Sequence, residues 1–356
     1  MRDTAATLFL KPDLHMTLSE HPLTVLRERL VRYAELRPCT NAFIDARSPG
    51  SDKKENFTII GPGVAENPDQ HVHIREPHGF NIGAARQPPR CTNSLHSHET
   101  AEVFIIHQGT WRFFWGAHGD AGEVVLYPGD TISIPVHIFR GFENIGEDIG
   151  FMFAVLGGDD PGRVHWAPQV IEKARGYGLV LLENGSLIDT TYGDVVPPNS
   201  KVVNPSSADE IAYIRTPSVS EMTLNVARHQ ALAADAQNPL ANAGVTVSPI
   251  ILNRVNTAPI AAAHDFTVHH VALLAGSKTT ASTYDVAQVL LVFRGSVIWH
   301  GWSTEKTDGR IDSIALQCGD TFSVPVGMTG YIEAAVTDAG DATTAAEIFM
   351  VRGIAA

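Results

Sequence analysis

The chain has 356 residues, of which 44% are hydrophobic and 18% are charged, and its formal net charge is −13. Length and composition indicate an ordinary globular protein of about two domains. The negative charge argues against nucleic acid or an anionic membrane as a partner, because both bind basic surfaces. No apolar run approaches the ~20 residues that a membrane helix needs. Three widely spaced cysteines and the lack of a signal-peptide pattern predict a cytoplasmic protein.

The N-terminal part of the chain predicts a short helical arm. Apolar residues recur at helical spacing through residues 21–37, with Pro22 near the start of the run and Pro38 just past its end. We therefore expect residues 1–69 to form an arm that contains one amphipathic helix.

Two strand-rich blocks follow the arm. Residues 70–160 and residues 245–356 both consist of short β-branched and aromatic runs separated by glycine and proline, which is typical of sandwiches and barrels. Residues 161–244 between them predict a connector with a short helix and short strands. These boundaries divide the chain into two barrels joined by a connector.

The first block contains a group of metal-ligand residue types. His96 and His98 are two residues apart, so on a strand they would point to the same side, and Glu102 shares that parity. β-Branched and aromatic residues at 103–106 favour a strand. We therefore predict that these three side chains converge and that they are the metal ligands.

A second spaced set lies downstream, at Gly129, Pro135 and Asn144. With the preceding pattern of His-x-His, three residues, Glu, six residues and Gly, this spacing resembles the two motifs of the cupin superfamily. The chain departs from the family pattern in both motifs, and in the first motif Arg90 stands where glycine often opens it. Arg140 stands where the third metal histidine of the family belongs, and His137 stands at a usual glycine position.

The second block repeats the first. Residues 288–295 parallel residues 102–109, and residues 316–325 parallel residues 126–135. The resemblance therefore implies an all-β fold with two cupin jelly-roll barrels in one chain and a short helical N-terminal arm.

The two copies differ where the chemistry would lie. The second copy keeps the turn residues of the motifs but not the ligands, and its residues at the four ligand positions are Ser282, Tyr284, Gln288 and Gly330. We expect the C-terminal barrel to be degenerate, without metal ligands. The adjacent His269 and His270 cannot share one face of a strand, so we interpret them as structural.

Two histidines and one carboxylate with open positions are typical of non-heme Fe(II) oxygenases. Fe(II) is thus the predicted cofactor, although Mn, Ni, Cu or Zn accept the same ligands. Arginine stays protonated and cannot bind a cation. Three interpretations of Arg140 follow. It pairs with an anionic group of the substrate, or His137 replaces the missing ligand, or Arg140 pairs with Glu102 and no metal binds.

Bicupins of this length with a helical arm resemble the ring-cleaving dioxygenases of the gentisate and salicylate type. The resemblance implies an Fe(II)-dependent dioxygenase that uses O2 on a small aromatic or carboxylate-bearing substrate. Separately, the exposed barrel edges and the N-terminal arm favour a homo-oligomer. Arg140 would orient the substrate, and His137 would be a fourth ligand or an acid/base group. The alternatives are a non-catalytic small-molecule-binding cupin and a cupin isomerase or lyase that does not use O2.

Overall fold

The computed structural model describes residues 22–252, 258–303, 310–335 and 344–354. This part of the chain contains four α-helices, three short 3-10 helices and 24 strands, which are separated by turns. The arm and the first barrel comprise α1 (Pro22–Glu28), β1 (Leu30–Val31), β2 (Glu55–Ile60), β3 (Val72–Ile74), β4 (Phe80–Gln87), β5 (Thr92–His98), β6 (Glu102–Gln108), β7 (Trp111–Trp115), β8 (Gly122–Leu126), β9 (Thr131–Ile134), β10 (Arg140–Asn144), β11 (Gly150–Gly157) and β12 (Val164–Trp166).

The connector and the second barrel complete the fold. The connector comprises α2 (Pro168–Gly176), β13 (Leu179–Leu181), β14 (Leu187–Asp189), α3 (Ala208–Ala212), α4 (Val219–Thr223) and β15 (Val226–Ala227). The second barrel comprises β16 (Val245–Ile251), β17 (Phe266–Leu274), β18 (Ser282–Thr283), β19 (Gln288–Arg294), β20 (Ser296–Ser303), β21 (Asp312–Gln317), β22 (Thr321–Val324), β23 (Met328–Ala334) and β24 (Thr344–Gly353). None of the described helices is long and apolar enough to cross a membrane.

Each barrel consists of a larger and a smaller sheet. In the first barrel a seven-stranded sheet, with the order β15-β9-β6-β11-β4-β2-β3, faces a five-stranded sheet, with the order β12-β5-β10-β7-β8. In the second barrel a six-stranded sheet, with the order β1-β22-β19-β24-β17-β16, faces a four-stranded sheet, with the order β18-β23-β20-β21. The predicted all-β architecture of two jelly-roll barrels is confirmed.

The helix of the arm is shorter than predicted. It covers only Pro22–Glu28, and the chain continues as β1, which pairs antiparallel with β22 of the second barrel. Leu30 lies opposite Phe322 in this pair. The apolar side chains of the run therefore cover a sheet edge instead of completing a longer helix, because pairing satisfies the exposed backbone groups of that edge.

The two larger sheets face each other across an apolar interface. Phe151 and Phe153 of β11 belong to the same buried cluster as Phe349 and Val351 of β24. The interior of each barrel holds a separate cluster. On β17 and β24 the side chains therefore alternate between the interior of the second barrel and the interface between the barrels.

The turn glycines of the repeated motif occupy backbone conformations that need glycine. Gly109 has φ +90° and Gly295 has φ +70°. A Cβ at Gly109 would lie 2.8 Å from the Cα of Gly150, and a Cβ at Gly295 would lie 2.0 Å from the carbonyl oxygen of Ala345. The turn requirement therefore explains why both copies carry a glycine here.

Candidate metal centre

The three predicted ligands converge inside the first barrel. His96 and His98 lie on β5 and Glu102 is the first residue of β6. All three side chains are buried, and each offers a ligand atom within 4.8 Å of the other two. The Nε2 atom of His98 lies 3.5 Å from a carboxylate oxygen of Glu102. The alternation of β5 thus brings the two imidazoles to one side, as the spacing predicted.

Arg140 lies beside this group. It is the first residue of β10, directly opposite His96 in the β5–β10 pair, and it is only 1% exposed. Its guanidinium donates one hydrogen bond to the carboxylate of Glu102 and another, of 2.8 Å, to the carbonyl oxygen of His96. Its Nε finds no hydrogen-bond partner among the described residues. The position of the missing histidine is therefore filled by a cation that pairs with one of the candidate ligands.

His137 does not join the group. It lies exposed in the turn between β9 and β10, where its backbone has φ +57°, and its amide donates a 3.1 Å hydrogen bond to the carbonyl of His98. The turn would have to change its conformation before His137 could bind a metal held by His96, His98 and Glu102. The exposed side chain of His137 therefore lies outside the group of His96, His98 and Glu102.

Burial and the charge of Arg140 set the protonation states of His96, His98 and Glu102. Burial, and then Arg140, lower the pKa of both His96 and His98, so both imidazoles are neutral near pH 7. Burial alone would raise the pKa of Glu102, but the charge of Arg140 and the hydrogen bonds from His98 and Arg140 outweigh burial, so the pKa is lowered. Neutral imidazoles beside an ionised carboxylate are the forms that bind a metal.

A buried network orients His96. Its Nδ1 lies 2.7 Å from the carbonyl oxygen of Ser94, which places the ring proton on Nδ1 and leaves Nε2 free to bind a metal. The amide of Ser94 donates a 3.0 Å hydrogen bond to Asp45. Asp45 pairs with Lys54, which also donates a 2.6 Å hydrogen bond to Asn93. This support is the kind that a metal-binding histidine requires.

The group opens onto a narrow cavity of about 70 Å³. Besides His96, His98 and Glu102, its walls are mainly apolar and include Phe57 and Phe104. The space corresponds to a few water molecules. Three aromatic residues of β7 pack in the same barrel core but do not line the cavity, and these are Trp111, Phe113 and Trp115.

The matching positions of the second barrel hold no ligand group in the described part of the chain. Tyr284 is buried and its hydroxyl accepts a 3.2 Å hydrogen bond from Trp299. Ser282 lies opposite Gly330 in the β18–β23 pair. The four positions are therefore filled by residues that are not usual metal ligands, and an apolar cluster fills the barrel around them.

The structure also reveals a second group of metal-ligand types that sequence reasoning missed. His229 of the connector, His270 of β17 and Glu347 of β24 each offer a ligand atom within 4.8 Å of the other two. The adjacency of His269 and His270 predicts a structural role for both and gives no sign of this group. Since these three residues are far apart in the sequence, no local spacing pattern connects them, and only the pairing of β17 with β24 brings two of them together.

The donor set around His96 fits a divalent first-row metal. Two neutral imidazoles and one carboxylate converge, and a carboxylate has enough lone pairs to accept a hydrogen bond from Arg140 while it binds a metal. The nearby positive charge opposes cation binding, and the ionised carboxylate offsets it. The residues that would hold the metal are His96, His98 and Glu102.

Comparisons with known proteins show the fold. No protein-family model matches the chain, and no curated protein matches its sequence. Among solved structures, hazelnut (Corylus avellana) vicilin superposes with a TM-score of 0.52 at 10% identity, covering 92% of this chain and 85% of that chain. Oxalate decarboxylase from Lactobacillus farciminis, in a formate complex, gives 0.52 at 11% identity over 91% and 84%. Oxalate decarboxylase from Bacillus subtilis gives 0.52 at 12% identity over 91% and 75%.

These structures are bicupins, and the chain has the same two-barrel fold. At such low identity the likeness concerns the fold alone. The two-barrel fold that the motifs predicted is thus confirmed, whereas the resemblance to gentisate-type dioxygenases stays a prediction.

Proposed function

We propose that the chain is a metal-dependent bicupin enzyme whose single catalytic site lies in the first barrel, and that it is an Fe(II)-dependent dioxygenase of small carboxylate-bearing compounds. One observation carries the proposal. His96, His98 and Glu102 converge on a narrow, mostly apolar cavity, with Arg140 buried beside them.

The metal and the residues around it would have separate roles in this reaction. When bound, Fe(II) would supply the one-electron and O2 chemistry that amino-acid side chains lack. Ser94 keeps the Nε2 atom of His96 unprotonated, and Arg140 holds the carboxylate of Glu102 ionised. The apolar walls exclude water from the reacting groups, which strengthens every charge interaction inside.

Arg140 is the proposed substrate-orienting residue. Its guanidinium presents a planar fork that matches a carboxylate bidentately, and its Nε has no partner among the described residues. A substrate carboxylate would compete with Glu102 for this fork. The bond from Arg140 to the carbonyl of His96 keeps the guanidinium next to the metal ligands during that exchange.

The cavity favours a small substrate. A volume of about 70 Å³ suits a short carboxylic acid better than an aromatic one. Since two of the similar structures are oxalate decarboxylases, oxalate belongs in the first panel of substrates. Short hydroxy and keto acids complete the panel, with salicylate and gentisate as aromatic members.

Metal analysis of the anaerobically purified chain, followed by O2 uptake with this panel, tests the proposal. We expect about one iron per first-barrel site, lost in His98→Ala and retained in the exposed His137→Ala. O2 consumption with one acid and none in His98→Ala would support dioxygenation. Metal-dependent turnover without O2 uptake would reject the dioxygenase and retain the metalloenzyme. A chain that takes up no metal there after reconstitution would show that the Arg140–Glu102 pair closes the site.

A further inference from the structure

The second ligand group lies between the two barrels. His270 of β17 and Glu347 of β24 project from the face of the six-stranded sheet that meets the first barrel, since Val268 and Phe349 on the same strand faces belong to the interface cluster. His229 reaches them from the connector, two residues after β15 joins the first barrel. Residues from three separate parts of the chain thus meet at one point.

The three ligand atoms form a compact triangle. One carboxylate oxygen of Glu347 lies 2.7 Å from Nε2 of His229 and 2.9 Å from Nε2 of His270. The two Nε2 atoms lie 3.4 Å apart. Ligands about 2.1 Å from a tetrahedral zinc ion lie about 3.4 Å from one another. Only a small outward shift of the carboxylate would therefore make room for an ion.

Surrounding residues hold two of the three ligands, Glu347 and His229, in place. Arg294 donates a 2.5 Å hydrogen bond to the other oxygen of Glu347, which leaves the oxygen near the histidines available. The backbone amide of His229 donates a 2.9 Å hydrogen bond to Asp130 of the first barrel. The ring of His229 rests on Gly129, where an added Cβ would lie 2.5 Å from its Cγ. Such outer contacts orient metal ligands in proteins.

Solvent reaches the group from one side. A surface cavity of about 880 Å³ is lined by His229, Arg294 and Asp130 among other residues. Glu347 and His270 are buried, whereas His229 is partly exposed. The cavity provides an entry path for an ion and space for a water molecule as the fourth ligand.

We propose that His229, His270 and Glu347 bind a divalent transition-metal ion of the zinc class, which joins the connector to the second barrel at the interface. Two imidazoles and one carboxylate with an open fourth position are an established zinc donor set. The ion would be distinct from the metal of the first barrel, and the proposal does not depend on the proposed function. Since the ligands come from the connector and from two strands, binding would stabilise the junction between the barrels.

Cobalt binding to a full-length His98→Ala chain tests this site alone. We expect about one Co²⁺ per chain, with visible absorption bands of a histidine-bound ion, and a higher melting temperature with Zn²⁺ than with chelator. His270→Ala and His229→Gln in the same background should each weaken Co²⁺ binding by more than the ~10–100-fold that loss of an outer contact costs.

His269→Ala is the matched control, because His269 adjoins His270 on β17 but lies outside the ligand group. It should bind Co²⁺ as tightly as its parent. His229→Gln changes a partly exposed connector residue, so it remains a test if His270→Ala does not fold. The proposal is wrong if the folded His98→Ala chain binds no Co²⁺, or if binding survives both ligand substitutions.

Discussion

Arg140 donates a hydrogen bond to Glu102 in the interior of the first barrel, and the two side chains are only 1% and 7% exposed. Each charge is thus compensated by the other in a place where neither could stand alone. A metal ion would draw on the same carboxylate. The competition between a guanidinium and a cation for Glu102 is therefore the property that decides what this site does.

Arg140→Met should make the stability of the chain depend on metal. Without metal, loss of the guanidinium leaves Glu102 buried and unpaired, which should lower the free energy of unfolding by roughly 3–5 kcal/mol. Added Mn²⁺ or Zn²⁺ should restore most of it, because the cation compensates the carboxylate. Urea unfolding with metal and with chelator measures both effects.

The control for this substitution is Arg112→Met. Arg112 pairs with Glu123 and Glu143 at the surface, where its side chain is 37% exposed. Arg112→Met should lower the free energy of unfolding by less than about 1 kcal/mol, and this difference from the unchanged chain should be the same with metal and with chelator. If the loss of stability caused by Arg140→Met, relative to the unchanged chain, were the same with metal and with chelator, a ligand role for Glu102 would be contradicted.

Lys54→Met should lower both the free energy of unfolding and the metal affinity of the first barrel. Lys54 and Asp45 form a fully buried pair, so the substitution leaves the Asp45 carboxylate unpaired at a cost of roughly 3–5 kcal/mol. Asp45 also anchors Ser94, whose carbonyl orients His96. We expect reduced metal affinity in equilibrium binding, whereas Lys201→Met at an exposed pair should change neither property.

Glu66 should make stability fall as pH rises. The buried carboxyl accepts hydrogen bonds from Trp166 and from the amide of Ile44, yet burial raises its pKa from 4.5 to about 8. Between those pH values the folded chain keeps a proton that the unfolded chain has lost. The contribution of Glu66 is therefore complete below about pH 4.5 and is lost as pH rises to about 8.

Chemical denaturation across this pH range tests the prediction. Glu66→Gln cannot ionise, so its free energy of unfolding should decline less between pH 5 and pH 8 than that of the unchanged chain. At pH 5 it should be less stable by about 1 kcal/mol, because the amide retains only one acceptor oxygen. Parallel pH profiles would show that Glu66 is ionised throughout.

Gly129→Ala should disturb the second ligand group. Gly129 has φ +89°, and its added methyl would strike the ring of His229. Gly319 is the matching turn residue of the second barrel, with φ +86°, and its methyl would meet Tyr33 instead. Both substitutions should lower stability by roughly 1–3 kcal/mol, but only Gly129→Ala should weaken Co²⁺ binding in the His98→Ala chain. Equal binding in both would contradict the role of His229.

Local sequence patterns determined the fold and the first ligand group. Turn glycines with positive φ, alternating apolar residues and a repeated motif each express a constraint that acts over a few residues. His96 and His98 share a side because a strand alternates with period two. The arm shows the limit of such reasoning. Its apolar run is compatible with a helix throughout, but only Pro22–Glu28 is helical, and Leu30–Val31 pairs with β22 as an edge strand.

Tertiary structure alone decided the remaining features. The sequence placed Arg140 near the ligands but left its partner open, and the pairing of β10 with β5 directs it to Glu102. His229, His270 and Glu347 meet because the connector crosses the face of a sheet whose strands pair over long sequence distances. Contacts of that kind depend on how sheets and connections pack against one another, and no spacing within one strand contains that information.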